Sequence, residues 1–247
     1  YYTHLFRNSK KVELNGRYTH HAIFDETIKF IKNNKDKPFF LYCPWTPPHA
    51  AYQIPEDEPA WKMYKDKPWP HDARVAAAMD TMMDRHVGEI TALLKKVGIY
   101  QNTLMFFTSD NGAAKRFDGI HNSSGVMQGK KRSLNEGGIR VPMVVRWPGK
   151  IKAGRVSSHP WYFPDVMPTF AEIGGVSTEV PEDIDGISIL PTLLDKGVQK
   201  QHEYMFWQYG VRAVRSGKWK GIGKGGHLYL YCLLYTSDAA DDMVRVD

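Results

Sequence analysis

Between Ala73 and Val97 the apolar side chains Val75, Met79, Met83, Val87, Ile90, Leu94 and Val97 recur at a period near 3.6 and stop at Gly98. A one-faced helix of that length must lay its stripe on another element. Thr103–Thr108 follows as an apolar run of the kind that forms a buried strand, and Arg140–Arg146 is a second. Upstream, Phe24, Ile28 and Ile31 recur at helical spacing behind Asp25 as a cap, and that helix should end in the polar run before Pro38. FFLYC at 39–43 reads as a further buried strand, with Cys43 as a strand residue. Asp165–Ile173 reads as a helix running into Gly174 and Gly175. Strand and helix in alternation predict an α/β domain with a mostly parallel sheet flanked by helices.

The chain has 247 residues, 42% hydrophobic and 24% charged, enough to bury a core. Its longest apolar runs fall far short of a membrane span. A net charge of +6 is spread along the chain, and no zinc-finger or RNA-binding signature accompanies it. That surface suits anionic substrates and not a dedicated nucleic-acid binder. Tyr1 is preceded by neither an initiator Met nor a signal peptide, so the chain is expected to be a fragment with its amino terminus upstream. Two cysteines, Cys43 and Cys232, make no disulfide framework.

Ligands of open α/β sheets gather beyond the carboxyl ends of the strands. TSDNG stands at one such end and TPPHA shortly after another. Asp110 and Asn111 offer a charged and a neutral oxygen side by side, the donors a hard cation such as Ca²⁺ or Mg²⁺ takes, and Gly112 permits close backbone approach. Asp-Asn-Gly is equally the composition of a plain turn. Lys131, in GKKRSLNEGGIRVP, carries a point charge suited to a tetrahedral anion, although a basic loop also serves as solvated surface. His49 follows two prolines that restrict its backbone. Lys115, Arg116 and His121 lie between the two motifs, within reach of sugar hydroxyls or simply solvated.

PFFLYCPWTPPHA, MDRHVGEI, TLMFFTSDNG, GKKRSLNEGGIRVPMVVRWPGKI, FPDVMPTFAEIGGV and DGISILPTLL, in this order, resemble the type I, formylglycine-dependent sulfatases of the alkaline-phosphatase-like superfamily. The similarity runs from Tyr1 to about Leu230, and SDNG joined to EGGIRVP is its most specific part. The resemblance implies an alkaline-phosphatase-like fold with a small carboxy-terminal antiparallel subdomain. It implies that Asp110 and Asn111 are metal ligands, for Ca²⁺ ahead of Mg²⁺. Lys131 would contact the sulfate, with Arg132 standing where many members have glycine, and His49 would lie beside the leaving-group oxygen. In the implied reaction a hydrated formylglycine attacks sulfur, the alcohol departs with a proton, and the sulfated intermediate releases sulfate. Substrates would be sulfated carbohydrates, with galactose or N-acetylgalactosamine sulfates in view, or aryl sulfates. The family also implies a periplasmic or extracellular setting.

The family's nucleophile arises from the Cys of C-x-[P/S/A]-x-R, and neither Cys43 in CPWTP nor Cys232 in CLLYT has the Arg. The upstream metal-binding Asp pair has no counterpart either. Residues 1–200 are therefore expected to be the carboxy-terminal portion of the catalytic domain, and 201–231 the start of the small subdomain, with Ser216 and Gly217 at a turn. Residues 232–247 begin CLLYTSDAAD, which resembles a translated sequencing-library adaptor, and are expected to be a non-native tail. Two other functions fit parts of the pattern. One is a phosphodiesterase or phosphonate hydrolase of the same superfamily; members with two transition metals tend to place His after the metal Asp, whereas Asn111 suits a hard cation. The other is a non-catalytic binder of sulfated glycans.

Overall fold

The first helix, α1 (Thr19–Asn34), begins six residues before its expected cap. Asp25 lies inside it and pairs with Arg17. The residue at the cap is Tyr18, whose side chain makes no capping bond. Instead Tyr18 is buried, and its hydroxyl donates to the Gln53 carbonyl at 2.9 Å, so a tertiary anchor starts the helix where the sequence suggested a local one. These observations come from a computed structural model, which describes residues 2–233 and the backbone of 244–246. Most of the expected tail, 234–243 and 247, lies outside the described residues. The chain divides into two units, Tyr1–Thr103 and Leu104–Asp247.

The first unit opens with a hairpin, β1 (His4–Arg7) on β2 (Lys10–Glu13). After α1 come α2 (Pro59–Tyr64) and α3 (His71–Lys96). The long stripe forms as expected, with Val75, Met79 and Leu94 buried, but midway along it Met82 and His86 are buried and Met83 and Val87 only half-buried, so the seam shifts there by one residue. Tyr18, Ala60, Ala78 and Met82 form a core cluster, with Ile54, Trp61 and Tyr64 packed against it.

FFLYC does not form a strand. Its side chains keep a period of two, with Phe40 and Tyr42 exposed and Leu41 and Cys43 half-buried, yet no ladder partner exists for it among the described residues. An extended run without a neighbour to hydrogen-bond is a strand in pattern only. Cys43 is accordingly not a strand residue; it rests on α1, its Sγ 3.6 Å from Thr27 Oγ1.

In the second unit β3 (Met105–Thr108) pairs with β4 (Met143–Arg146), Met105 opposite Arg146. The pairing is antiparallel, whereas strand–helix alternation suggested parallel neighbours. The connection from β3 to β4 contains only one short helix, α4 (Glu136–Ile139), and no helix long enough for a parallel crossover. Next come α5 (Val166–Gly174), which ends on Gly175 at φ 72° as its sequence indicated, and α6 (Leu190–Leu194). Asp165 is wholly buried ahead of α5 and accepts hydrogen bonds from the Tyr162 and Ile187 amides and from His202 Nε2 at 2.8–2.9 Å.

A five-stranded antiparallel meander closes the chain: β5 (Met205–Tyr209), β6 (Val211–Ser216), β7 (Trp219–Lys224), β8 (His227–Cys232) and β9 (Val244–Val246). Ser216 opposite Trp219 places the β6–β7 turn where the sequence put it. Cys232 completes β8 opposite Trp219. The core of this sheet contains a side chain from far upstream: Leu134 clusters with Ala213, Ile222 and Tyr231, and Ile139 packs against them.

Candidate functional site

The two sequence motifs of the second unit meet backbone to backbone. β3 ends at Thr108 and delivers Ser109–Gly112, where Ser109 Oγ donates to the Asn111 carbonyl at 2.9 Å. The Gly112 amide then donates to Gly138 O at 2.9 Å, the Lys131 amide to Ala113 O at 2.7 Å and the Gly137 amide to Gln128 O at 2.6 Å. No side chain fits at this crossing. A Cβ on Gly112 would lie 2.0 Å from Gly137 O, and one on Gly138 would lie 2.1 Å from Ser133 O. Glycine is required there by close approach. The crossing joins the SDNG and EGG segments and sets the Lys131 backbone against Ala113, two residues after Asn111.

Asp110 is exposed, and Asn111 and Lys131 are half-buried. Arg132 has φ 72°, in the left-handed region. Where the resemblance implies glycine, arginine thus occupies a conformation that favours glycine. In the intervening loop, Lys115 Nζ donates to Met127 O at 3.0 Å, which spends that ammonium on the loop itself. Arg116 lies over the Phe117 ring and His121 meets the same ring edge-on. His49 belongs to the first unit, exposed, with its amide on Thr46 O at 3.1 Å and Nδ1 on Ala50 O at 2.5 Å. A carbonyl only accepts, so Nδ1 carries the proton of the neutral ring.

Asp110 and Asn111 fit a hard cation by chemistry, a carboxylate beside a carboxamide at a strand end. They are two donors of the six or more such an ion takes. Among the described residues no group of three or more His, Cys, Asp or Glu is placed to hold a metal. The remaining ligands of a cation here would come from elsewhere. Burial pushes the Cys43 thiol up, opposing the reactive thiolate.

Besides the Asp165 cluster, two more buried polar groupings escaped the sequence reading. In the second unit Lys220, wholly buried on β7, donates to Glu136 Oε1 at 2.8 Å. In the first, His20 Nε2 and His86 Nδ1 are 2.9 Å apart, and His86 stacks on Phe24 with ring centroids 3.8 Å apart. Burial lowers His20 to about 4 and His86 to about 3, and each opposes a charge on its neighbours. Beside them Glu58 Oε2 meets His21 Nε2 at 3.0 Å, and Glu58 Oε1 accepts from Arg85 at 2.8 Å. Burial works against the Glu58 charge, but the Ala60 amide and Arg85 outweigh it and hold the pKa low. His86 sits on the α3 stripe among apolar positions, and that placement was the available signal.

The sulfatase family profile matches residues 1–176, and the chain belongs to the sulfatase family. It is 34% identical to the steryl-sulfatase of Mus musculus over 213 residues, 80% of this chain and 32% of that protein. To the N-acetylgalactosamine-6-sulfatase of Canis lupus familiaris it is 33% identical, over 79% of this chain and 36% of that one. The crystal structure of Ps i-CgsB aligns with a TM-score of 0.81 at 30% identity, covering 96% of this chain and 52% of the other. The fold is thus alkaline-phosphatase-like. The chain spans about a third of its curated relatives and about half of that solved chain. No described helix is long and apolar enough to cross a membrane.

Proposed function

We propose that this chain supplies one side of a sulfuric ester hydrolase site, acting in the whole protein on sulfated carbohydrate. The observation that supports the reading is the backbone crossing of SDNG with the lysine loop, by which Asp110 and Asn111 stand on one segment and Lys131 on the adjoining one. Asp110 and Asn111 hold a divalent cation, Ca²⁺ by donor chemistry, and when bound it supplies positive charge to sulfuryl oxygens. Lys131 holds the anion as a point charge, and its grip strengthens as charge develops in the transition state. His49 keeps one proton on Nδ1, against Ala50 O, so it serves as the acid only as an imidazolium, giving the departing alcohol the proton on Nε2 and returning to the neutral ring. The attacking group is formylglycine from a C-x-[P/S/A]-x-R segment, which the 247 residues do not contain.

Carbohydrate is favoured by the relatives. One is an N-acetylgalactosamine-6-sulfatase, and a second Ps i-CgsB structure, 31% identical to this chain, is in complex with k-i-k-neocarrahexaose. Asn111 in place of a His after the Asp favours a hard cation over the zinc of superfamily phosphodiesterases. The test is metal content and sulfate release by the whole protein, offered sulfated galactose and N-acetylgalactosamine oligosaccharides, an aryl sulfate and a phosphonate monoester. Calcium with sulfate release supports the reading; zinc with phosphonate turnover moves the protein to the other branch. Glycan binding without turnover, in a whole protein lacking C-x-[P/S/A]-x-R, makes it a binder.

A further inference from the structure

The lysine loop is fastened on its far side as firmly as on its near side. Leu134 is sunk in the core of the carboxy-terminal sheet. Two residues on, Glu136 is buried and receives the ammonium of Lys220, a β7 residue with no exposed surface, at 2.8 Å. The next two residues, Gly137 and Gly138, are the ones whose backbones bond Gln128 and Gly112. A route from Lys220 to Asn111 thus runs through the Glu136 carboxylate, two glycines without room for a Cβ, and one hydrogen bond from the Gly112 amide.

A buried ion pair is a poor source of net stability. Its desolvation cancels much of its attraction, and apolar or neutral groups of like shape often serve as well. A pair placed at this crossing has a second use, because a charge-assisted bond fixes direction and distance where an apolar contact permits sliding. We propose that Lys220 and Glu136 are a positioning pair that ties the antiparallel sheet to the lysine loop and so holds Lys131 in register with Asp110 and Asn111. Neither residue touches substrate. The consequence for turnover rests on the sulfatase reading; the consequence for the backbone does not.

The test is the double variant Lys220→Met with Glu136→Gln in the whole protein, which removes both charges and keeps both shapes. Two things are measured: steady-state kinetics on a sulfated oligosaccharide, and amide hydrogen exchange peptide by peptide. The pair predicts a folded protein whose exchange rises at 110–113 and 128–138 but not across β5–β8. It also predicts a kcat lowered roughly 10- to 100-fold, the usual cost of losing an outer support, with KM moved far less. Lys220→Arg, which keeps the charge, should retain most of the activity. Unchanged exchange at the two loops overturns the proposal, and so does faster exchange with unchanged kcat. If the unaltered protein releases no sulfate, the sulfatase reading fails by itself, and the two loops' exchange alone decides for or against the pair. Should the double variant not fold, Glu136→Asp takes its place with the same expected and contrary outcomes, since it keeps both charges and withdraws the carboxylate by one methylene.

Discussion

Arg132 sits at φ 72°, two residues ahead of the leucine that anchors its loop. An L side chain there pays for a left-handed backbone, so Arg132→Gly should stabilise the fold by about 0.5 kcal/mol once glycine's larger unfolded entropy is subtracted. Gly112→Ala acts in the opposite direction. Its Cβ would meet a backbone oxygen that cannot rotate away, and a loss of about 2 kcal/mol or more is expected. Urea denaturation of the two variants beside the parent checks both signs. Asp110, Asn111 and Lys131 could be named as candidates from the sequence because residue types near a strand end suggest such chemistry and the family resemblance selects among them. Lys220 and Glu136 could not, since a lysine in a strand and a glutamate before two glycines look like surface until the sheet folds over them.

His20 and His86 add a pH dependence of known direction. Both are held well below the ordinary histidine value by burial, with His21 and Arg85 acting the same way on each, His20 adding to this at His86, and Glu58 against it. Their stabilisation is complete above about pH 6.5, where the unfolded chain is also neutral, and drains away as pH falls toward the folded values. A shift of the size at His20 is worth about 3 kcal/mol, and the pair gives less than twice that because the two cannot charge together. Thermal melts between pH 7 and 4 should show the Tm falling continuously, and His86→Phe should flatten the slope. An unchanged slope would show that the two rings do not set it.

Among the elements, α3 was the most legible, because a long amphipathic period survives any detail of tertiary structure. FFLYC shows the opposite case. Its alternation is real, but a strand is a relation between two segments, and no partner for it appears among the described residues. The antiparallel β3–β4 pair was hidden for a similar reason, since pairing direction depends on the route of 109–142 and not on either strand. Glu58 shows how elements are tied together: it accepts from the Ala60 amide at the start of α2, from Arg85 on α3, and meets His21 on α1. Glu58→Ala should therefore cost about 2–4 kcal/mol in urea unfolding, more than an N-cap alone, because it releases three helices and strips Arg85 of its partner. A cost below about 1 kcal/mol would reduce Glu58 to a cap.

Taken whole, the chain carries the residues proposed as metal pair, anion-holding lysine and proton donor, but no cysteine in the C-x-[P/S/A]-x-R setting. By itself it should release no sulfate from an aryl sulfate, since an ammonium and an imidazole can bind an anion without supplying the covalent step. The central claim is that Asp110 and Asn111 hold a cation that Lys131 and His49 do not. It is tested most directly by calcium content measured beside turnover, on an activated aryl sulfate and on a sulfated sugar, for four alanine variants of the whole protein. Asp110→Ala should lose the most calcium, because it removes a charge as well as a ligand, and Asn111→Ala less. Lys131→Ala should keep calcium and lose most turnover on both substrates. His49→Ala should keep calcium and lose far more on the sugar, whose leaving group needs a proton, than on the aryl sulfate. Full calcium and near-normal rates in both Asp110→Ala and Asn111→Ala would contradict the account and leave Asp-Asn-Gly as a turn.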